Sequence, residues 1–372
     1  MIALSALRPV VHRTPHKETS YFANVQALRA VAAIMVLAYH LHAVEGKYFS
    51  EHAVPDALGV FGTSGVDLFF VISGFIMAAM SGDKFGNLQN SLEFLRRRTL
   101  RIYPIYWFYS LIVLSILLSA PHLVNASSGH QADILTSFTL LPSQTLPLLL
   151  QGWTLTYEMF FYLVFAMMIA VSSKQSIGAL LAVWAFTTAL LAVLFPGARN
   201  ESATLNVISN PLVFEFIAGC FCALIWRSIP RSASALIFAA TIASIILALL
   251  ISDQTSPEIV IQWRAAYFGI PSFLLVLSAV LAEKRFGVVA PRIMQIIGDA
   301  SYSIYLSHIL IISAVGRIWA IVFPAHTFLW GTLCGFAAAT VFGWISFRII
   351  ETPLNLTLKK LFARRGNAYA WD

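Results

Sequence analysis

The chain repeats one pattern along almost its whole length: apolar runs of about 20 residues, divided by short polar segments. Ten runs can be marked, at about 27–45, 59–80, 100–120, 153–172, 177–195, 206–226, 234–252, 265–283, 300–322 and 327–349. A run of that length crosses the hydrocarbon of a bilayer as a helix and is too long for a barrel strand. Charged residues are 11% of the 372, against about 25% in a soluble domain. The expectation is an all-α polytopic membrane protein, a bundle of about ten transmembrane helices. No internal repeat or low-complexity linker divides it, so one domain is expected over residues 25–352, between tails at 1–24 and 353–372.

Lys and Arg predict the orientation. With a cytoplasmic N-terminus, 17 of the 24 basic residues fall in inner segments, among them Arg8, Arg13, Lys17 and the run Arg96–Arg98. Lys47, Arg199 and Arg264 fall in outer loops. This bias predicts both termini in the cytoplasm. It accounts for the net charge of +7 without a nucleic-acid partner, although basic loops also suit anionic membrane lipid. Residues 1–20 lack a long apolar core with a cleavage site and read as a tail, not a signal peptide. Residues 121–152, broken by Pro121, Pro142 and Pro147, read as an outer loop, partly re-entrant. Cys220, Cys222 and Cys334 lie in apolar runs and imply no disulfide framework.

Ionisable side chains inside a bilayer are costly and mark functional sites by default. The predicted spans contain His40, Asp67, Glu158, Glu215, His308, Arg317 and Arg348. Arg29 opens the first run, and His40 follows eleven residues later, about 16 Å further along one helix. Counted from the span ends, His40 and Glu158 fall at nearly one depth, with Asp67 and His308 slightly deeper. Four helices are thus expected to bring four groups to one plane. A histidine beside a carboxylate is a general-base arrangement. The residues alone leave other readings open: a membrane histidine that only bonds a neighbouring helix, Asp67 as an ion-pair partner, Glu215 as structural. His42 lies on another helix face and receives no role. Trp153, Tyr157, Tyr302 and Tyr305, near span ends, suit an interfacial aromatic belt.

A second set is basic. FLRRRTLRIYP puts Arg98 and Arg101 on one helix face, at the inner mouth of the third span. Their planar forks suit phosphate; a topology signal is the other reading. No Walker loop, GxSxG, HExxH or Cys/His metal spacing occurs, and no metal is expected.

Six segments then point the same way: LRAVAAIMVLAYH, GVDLFFVISGFIM, RRRTLRIYP, WTLTYEMFFYLVF, GDASYSIYLSHIL, and Glu351 with Pro353. In this order the chain resembles the membrane acyltransferase-3 family of bacterial O-acyltransferases. NVQALRAVAA and QGWTLTYEMFFY are similar to its exopolysaccharide-modifying branch. The resemblance implies transfer of an acyl group, usually acetyl, from cytoplasmic acyl-CoA to a hydroxyl of a surface or exported glycan at a bacterial inner membrane. It implies that Arg98 and Arg101 hold CoA phosphates, with Arg29 near the entrance of the pantetheine arm. His40 would be the general base or would take the acyl group itself. Glu158 would orient or charge-balance His40, or position the sugar. Ser73, Asp67 and His308 would join the polar cavity. Polysaccharide-assembly proteins are further expected partners, and no esterase-like domain is expected after the last span. The other reading is a transporter or lipid-linked sugar flippase using the same groups as a proton relay. It would call for an inverted repeat or paired broken helices, and the sequence offers neither.

Overall fold

The computed structural model describes residues 22–49, 51–82, 84–124, 133–195, 197, 201–254, 259–260 and 263–363. Among these the chain is helical throughout, without a strand. Lipid leaves a spanning segment no other way to satisfy its backbone, short of a closed barrel. Ten helical stretches are long and apolar enough to cross a membrane, one at each expected position. Their outward faces are apolar. Val183, Phe186, Leu190 and Val193 are exposed along α7 (Ile177–Leu194), as are Leu236, Phe238, Ile246 and Leu250 along α10 (Ser234–Gln254). Surfaces this apolar belong against lipid, so the chain is a multi-pass membrane protein. The basic residues Arg8, Arg13, Lys17, Arg199, Arg364 and Arg365, and loop residues 125–132, lie outside the described residues.

The bundle has two faces: a near face, where α1 (Ala23–Tyr48) begins, and a far face, where it ends. The first amides of a helix have no partner within it. Here the Ala23 and Asn24 N–H groups donate to the two carboxylate oxygens of Glu283, at 3.2 and 2.9 Å. Glu283 sits near the end of α11 (Ile270–Phe286), and its negative charge also suits the positive end of the helix dipole. α12 (Arg292–Asp299), a short helix that the apolar runs do not reveal, adds a bond from Gln26 Nε2 to Asp299, 2.8 Å.

The second crossing is broken at Thr63 into α2 (Asp56–Gly62) and α3 (Ser64–Ser81). α3 packs tightly on α9 (Leu212–Ile225), which follows the single-turn α8 (Ala203–Ile208). Gly74 faces the Phe216 carbonyl and Gly219 the Val71 carbonyl, so closely that a Cβ at either would strike backbone. Membrane helices approach this way where small residues meet.

α4 (Leu88–Ser119) begins twelve residues before the expected start at 100. The Asn87 side chain caps it by accepting from the Gln89 and Asn90 amides. Glu93 then pairs with Arg96 and Arg97, at 2.7 Å each. A count of apolar residues misses this polar opening. α6 (Gly152–Val171) runs antiparallel to α4. Ser91 Oγ donates to the Ala166 carbonyl at 2.6 Å, and Gly152 abuts the Tyr106 hydroxyl. α6 therefore begins level with the middle of α4. The chain has already re-entered the bundle as α5 (Ile134–Thr139) and the segment that buries Leu148 and Leu149. Tyr106, Trp107 and Tyr103 of α4 donate to the carbonyls of Ser137, Phe138 and Thr139, at 2.6, 2.8 and 2.7 Å. These carbonyls close α5 and would otherwise lack donors. Residues 133–151 thus fold back against the middle of α4.

The remaining crossings are α13 (Ser301–Val322) and α14 (Phe328–Ser346). α14 continues through a wide turn, Phe347–Glu351, into α15 (Thr352–Ala363), so helix extends into the expected C-terminal tail.

Candidate active site

α1, α3, α4, α6 and α13 line one cavity. Its lining brings together five residues singled out from the sequence: Arg29, Ser73, Arg98, Arg101 and Glu158. Glu158 accepts from Ser73 Oγ at 3.2 Å and from the Tyr162 hydroxyl. Arg29 Nε donates to Ser301 Oγ at 3.1 Å. The Arg98 guanidinium lies 5.5 Å from the Phe94 ring centroid and 5.6 Å from that of Tyr162, a cation–π seat that holds the charge without neutralising it. Glu351, beyond α14, lies within electrostatic reach of Arg29 and Arg101. Its Oε2 accepts from Ser303 Oγ at 2.5 Å. Three guanidiniums therefore line the cavity with one carboxylate, Glu158, and Glu351 stands nearby. The surplus is positive, and the planar forks are suited to an anion.

Arg98 and Arg101 do not stand at the mouth of their helix, as expected. Because α4 starts at Leu88, they lie three turns or more inside it, level with Tyr162 and Glu158 of α6. They are also not far below the acidic group: Arg98, Arg101 and Glu158 share one cavity.

The expected single plane is not formed. His40 and His308 meet each other, ring centroids 5.0 Å apart, and neither lines the cavity. They sit just past Tyr305, whose hydroxyl shares a 2.7 Å bond with Thr154 at the cavity wall and whose ring is 5.9 Å from that of His308. Glu158 is a turn to the other side of Thr154 and has other partners, so it does not orient His40. The depth count failed because α6 begins mid-bundle. His308 is buried, and its Nδ1 is 2.6 Å from the Tyr305 carbonyl. A carbonyl only accepts, so Nδ1 carries the proton. Nε2 has no partner among the described residues.

Asp67 also leaves the cavity. Both its oxygens accept from Arg264, at 2.8 and 2.7 Å, and Arg264 further donates to the Thr63 carbonyl at 2.9 Å. Glu215, buried, stands beside them. Arg264 is therefore an interior counter-ion and not an outer-loop charge. The ion-pair reading of Asp67 is the one the structure supports. Arg348, another charge expected within a span, lies over the Trp344 ring at 5.7 Å.

Sequence reading missed Tyr162, Ser301, Tyr302 and Tyr305 as lining residues. Tyr162 follows Glu158 by four positions, the spacing at which side chains on one helix meet. Tyr302 and Tyr305 were assigned to the interfacial belt. They face inward instead, and the Tyr302 hydroxyl donates to the Ile102 carbonyl at 3.0 Å.

Residues 22–348 match the acyltransferase domain of the acyltransferase-3 family. The chain is 30% identical over 326 residues to the exopolysaccharide production protein ExoZ of Rhizobium meliloti, covering 82% of this chain and 93% of that one. It is 26% identical to the acyltransferase MdmB of Streptomyces mycarofaciens, covering 94% and 95%. It is 25% identical to the peptidoglycan O-acetyltransferase OatA of Listeria monocytogenes, covering 92% of this chain but 57% of that one. No solved structure matches the chain. These relatives displace the transporter reading: the chain belongs to the acyltransferase-3 family and is a membrane O-acyltransferase.

Proposed function

We propose that this chain moves an acetyl group from acetyl-CoA to a hydroxyl of an exported glycan. The carrying observation is the cavity in which Arg29, Arg98 and Arg101 outnumber the Glu158 of its lining and the Glu351 nearby. Guanidiniums in excess of carboxylates draw an anion, and the donor's phosphates supply one. The arginines hold them by charge-assisted bonds, and Glu158 fixes the Tyr162 ring against which Arg98 sits. The pantetheine arm runs from the cavity past Tyr305 toward His40. His40 takes the proton of the acceptor hydroxyl as its oxygen bonds to the thioester carbon. The carbon–sulfur bond then breaks, and the proton passes to the departing thiolate. His308, whose Nε2 has no partner among the described residues and lies beside His40, shares that proton during the transfer.

The charge bias supports a cytoplasmic near face with both termini inside, and the bacterial relatives support an inner membrane as the place of residues 25–352. A glycan acceptor is supported by the relatives ExoZ, in exopolysaccharide production, and OatA, acting on peptidoglycan. Acceptor identity is tested by mass spectrometry of surface glycans from cells with and without the chain. Loss of an acetyl mass shift on deletion is the expected result; unchanged glycan acetylation would reject the reading.

Two further outcomes are expected. Asn90→Cys, at the exposed start of α4, should react with an impermeant thiol reagent only from the cytoplasmic side. Labelling from outside would invert the orientation. Arg98→Lys and Arg101→Lys keep the charge but lose the bidentate fork. Each should weaken acetyl-CoA binding by about tenfold, of the order of one lost charge-assisted bond, without changing insertion. Titration of the purified variants checks it, and unchanged affinity in both would leave the arginines as topology signals.

A further inference from the structure

At the far face, α1 ends in a cluster that acyl transfer does not use. His42, Glu45 and His52 bring three ligand atoms within 4.8 Å of one another. The Glu45 carboxylate is fully buried. It accepts from the Val54 N–H at 3.1 Å and from the Thr332 hydroxyl of α14 at 2.5 Å. The cation-forming side chain within 4.0 Å of it among the described residues is His52, with Nδ1 at 3.6 Å. A carboxylate so enclosed needs a compensating positive charge.

His42 is prepared from the other side. Its Nδ1 lies 3.0 Å from the Val54 carbonyl, which can only accept, so Nδ1–H donates. In the neutral ring Nε2 is then a bare lone pair. It lies 3.4 Å from Asp56 Oδ1, and two acceptors at that distance repel unless a cation stands between them. Metal-bound histidines almost always donate their second ring N–H to such a carbonyl or carboxylate. Bonds of about 2.0–2.2 Å to zinc set neighbouring tetrahedral ligand atoms about 3.3–3.6 Å apart. The 3.6 Å between Glu45 Oε2 and His52 Nδ1 matches that edge. The rings of His42 and His52 lie with centroids 4.4 Å apart. Gly59 leaves the room, since a Cβ there would lie 2.8 Å from the His42 ring.

We propose that His42, Glu45 and His52 bind one divalent cation of the zinc class, with the fourth position open to water. Two imidazoles select a transition cation over Mg²⁺ or Ca²⁺, which prefer oxygen ligands. The ion fastens the connection between α1 and α2 to the end of α1. His42 and His52 are ten residues apart, on a helix and on the loop after it, a spacing that resembles no compact metal motif. That is why the sequence gives His42 no role.

The test uses the purified full chain, stripped with chelator and titrated with ZnCl₂ by calorimetry, with metal content read by mass spectrometry. One equivalent of zinc is expected, together with X-ray absorption showing nitrogen and oxygen ligands at about 2.0–2.2 Å. His52→Ala changes a half-exposed loop side chain and leaves α1 intact. It should weaken binding by at least about tenfold, since even second-shell changes cost 10–100-fold. His42→Ala should do the same. Zinc uptake unchanged in both variants would place the ion on other histidines and overturn the site. Absence of zinc from the wild-type chain would also overturn it, leaving protonated His42 and His52 as the counter-charges of Asp56 and Glu45.

Discussion

Replacing His40 with alanine is expected to cut acyl transfer by about 10²–10⁴-fold, the usual cost of losing a general base. Expression and insertion should be normal, because His40 is only partly buried and makes no described hydrogen bond that the bundle depends on. Donor affinity should also be retained, since His40 does not line the cavity that holds the arginines. The informative measurement is therefore a pair: turnover with a soluble glycan acceptor, and acetyl-CoA binding by titration. Lost turnover with retained binding supports the assignment. Near-normal turnover would remove His40 from the chemistry, and joint loss would point to damaged structure.

Arg264→Met should be the most destabilising single change among the charged residues. It removes the guanidinium that both oxygens of Asp67 bind and leaves Asp67 and Glu215 facing each other in the interior. Stranding one member of a buried pair costs about 3–5 kcal/mol. Replacing both members with apolar residues of similar size is often nearly neutral. The double variant Arg264→Met, Asp67→Leu should thus regain most of the lost thermal stability. Unfolding in detergent, followed for the wild type, both single variants and the double, gives the coupling directly. A loss in the double variant equal to the sum of the two single losses would show that the pair carries no net coupling.

The crossings were legible because lipid imposes length and apolarity on each one, and α1, α6 and α13 lie within a few residues of their expected bounds. The residues of the cavity were legible too: Arg29, Arg98, Arg101, Ser73 and Glu158 carry chemistry that a bilayer does not tolerate without cause. Their relative heights were not. Height was counted from the ends of apolar runs, and two ends mislead. The polar first turns of α4 are held by Asn87 and the Glu93 pairs, which hydropathy does not register. The start of α6 is set by α5, whose closing carbonyls depend on Tyr103, Tyr106 and Trp107, a tertiary pattern with no local signature. Arg264 was misplaced for a related reason. A charge beside an apolar run reads as a loop residue until its partner, 197 positions away, is known.

The cap on α1 has a consequence for how the protein is made. Glu283, the acceptor for the Asn24 amide, lies 259 residues downstream. At about 5–20 residues per second, synthesis separates the two by roughly 13–50 s. Throughout that interval the leading end of the first helix has no acceptor of its own and must rest at the water-exposed margin of the membrane. The start of α1 is therefore among the last parts of the bundle to be fixed, although it is among the first to leave the ribosome.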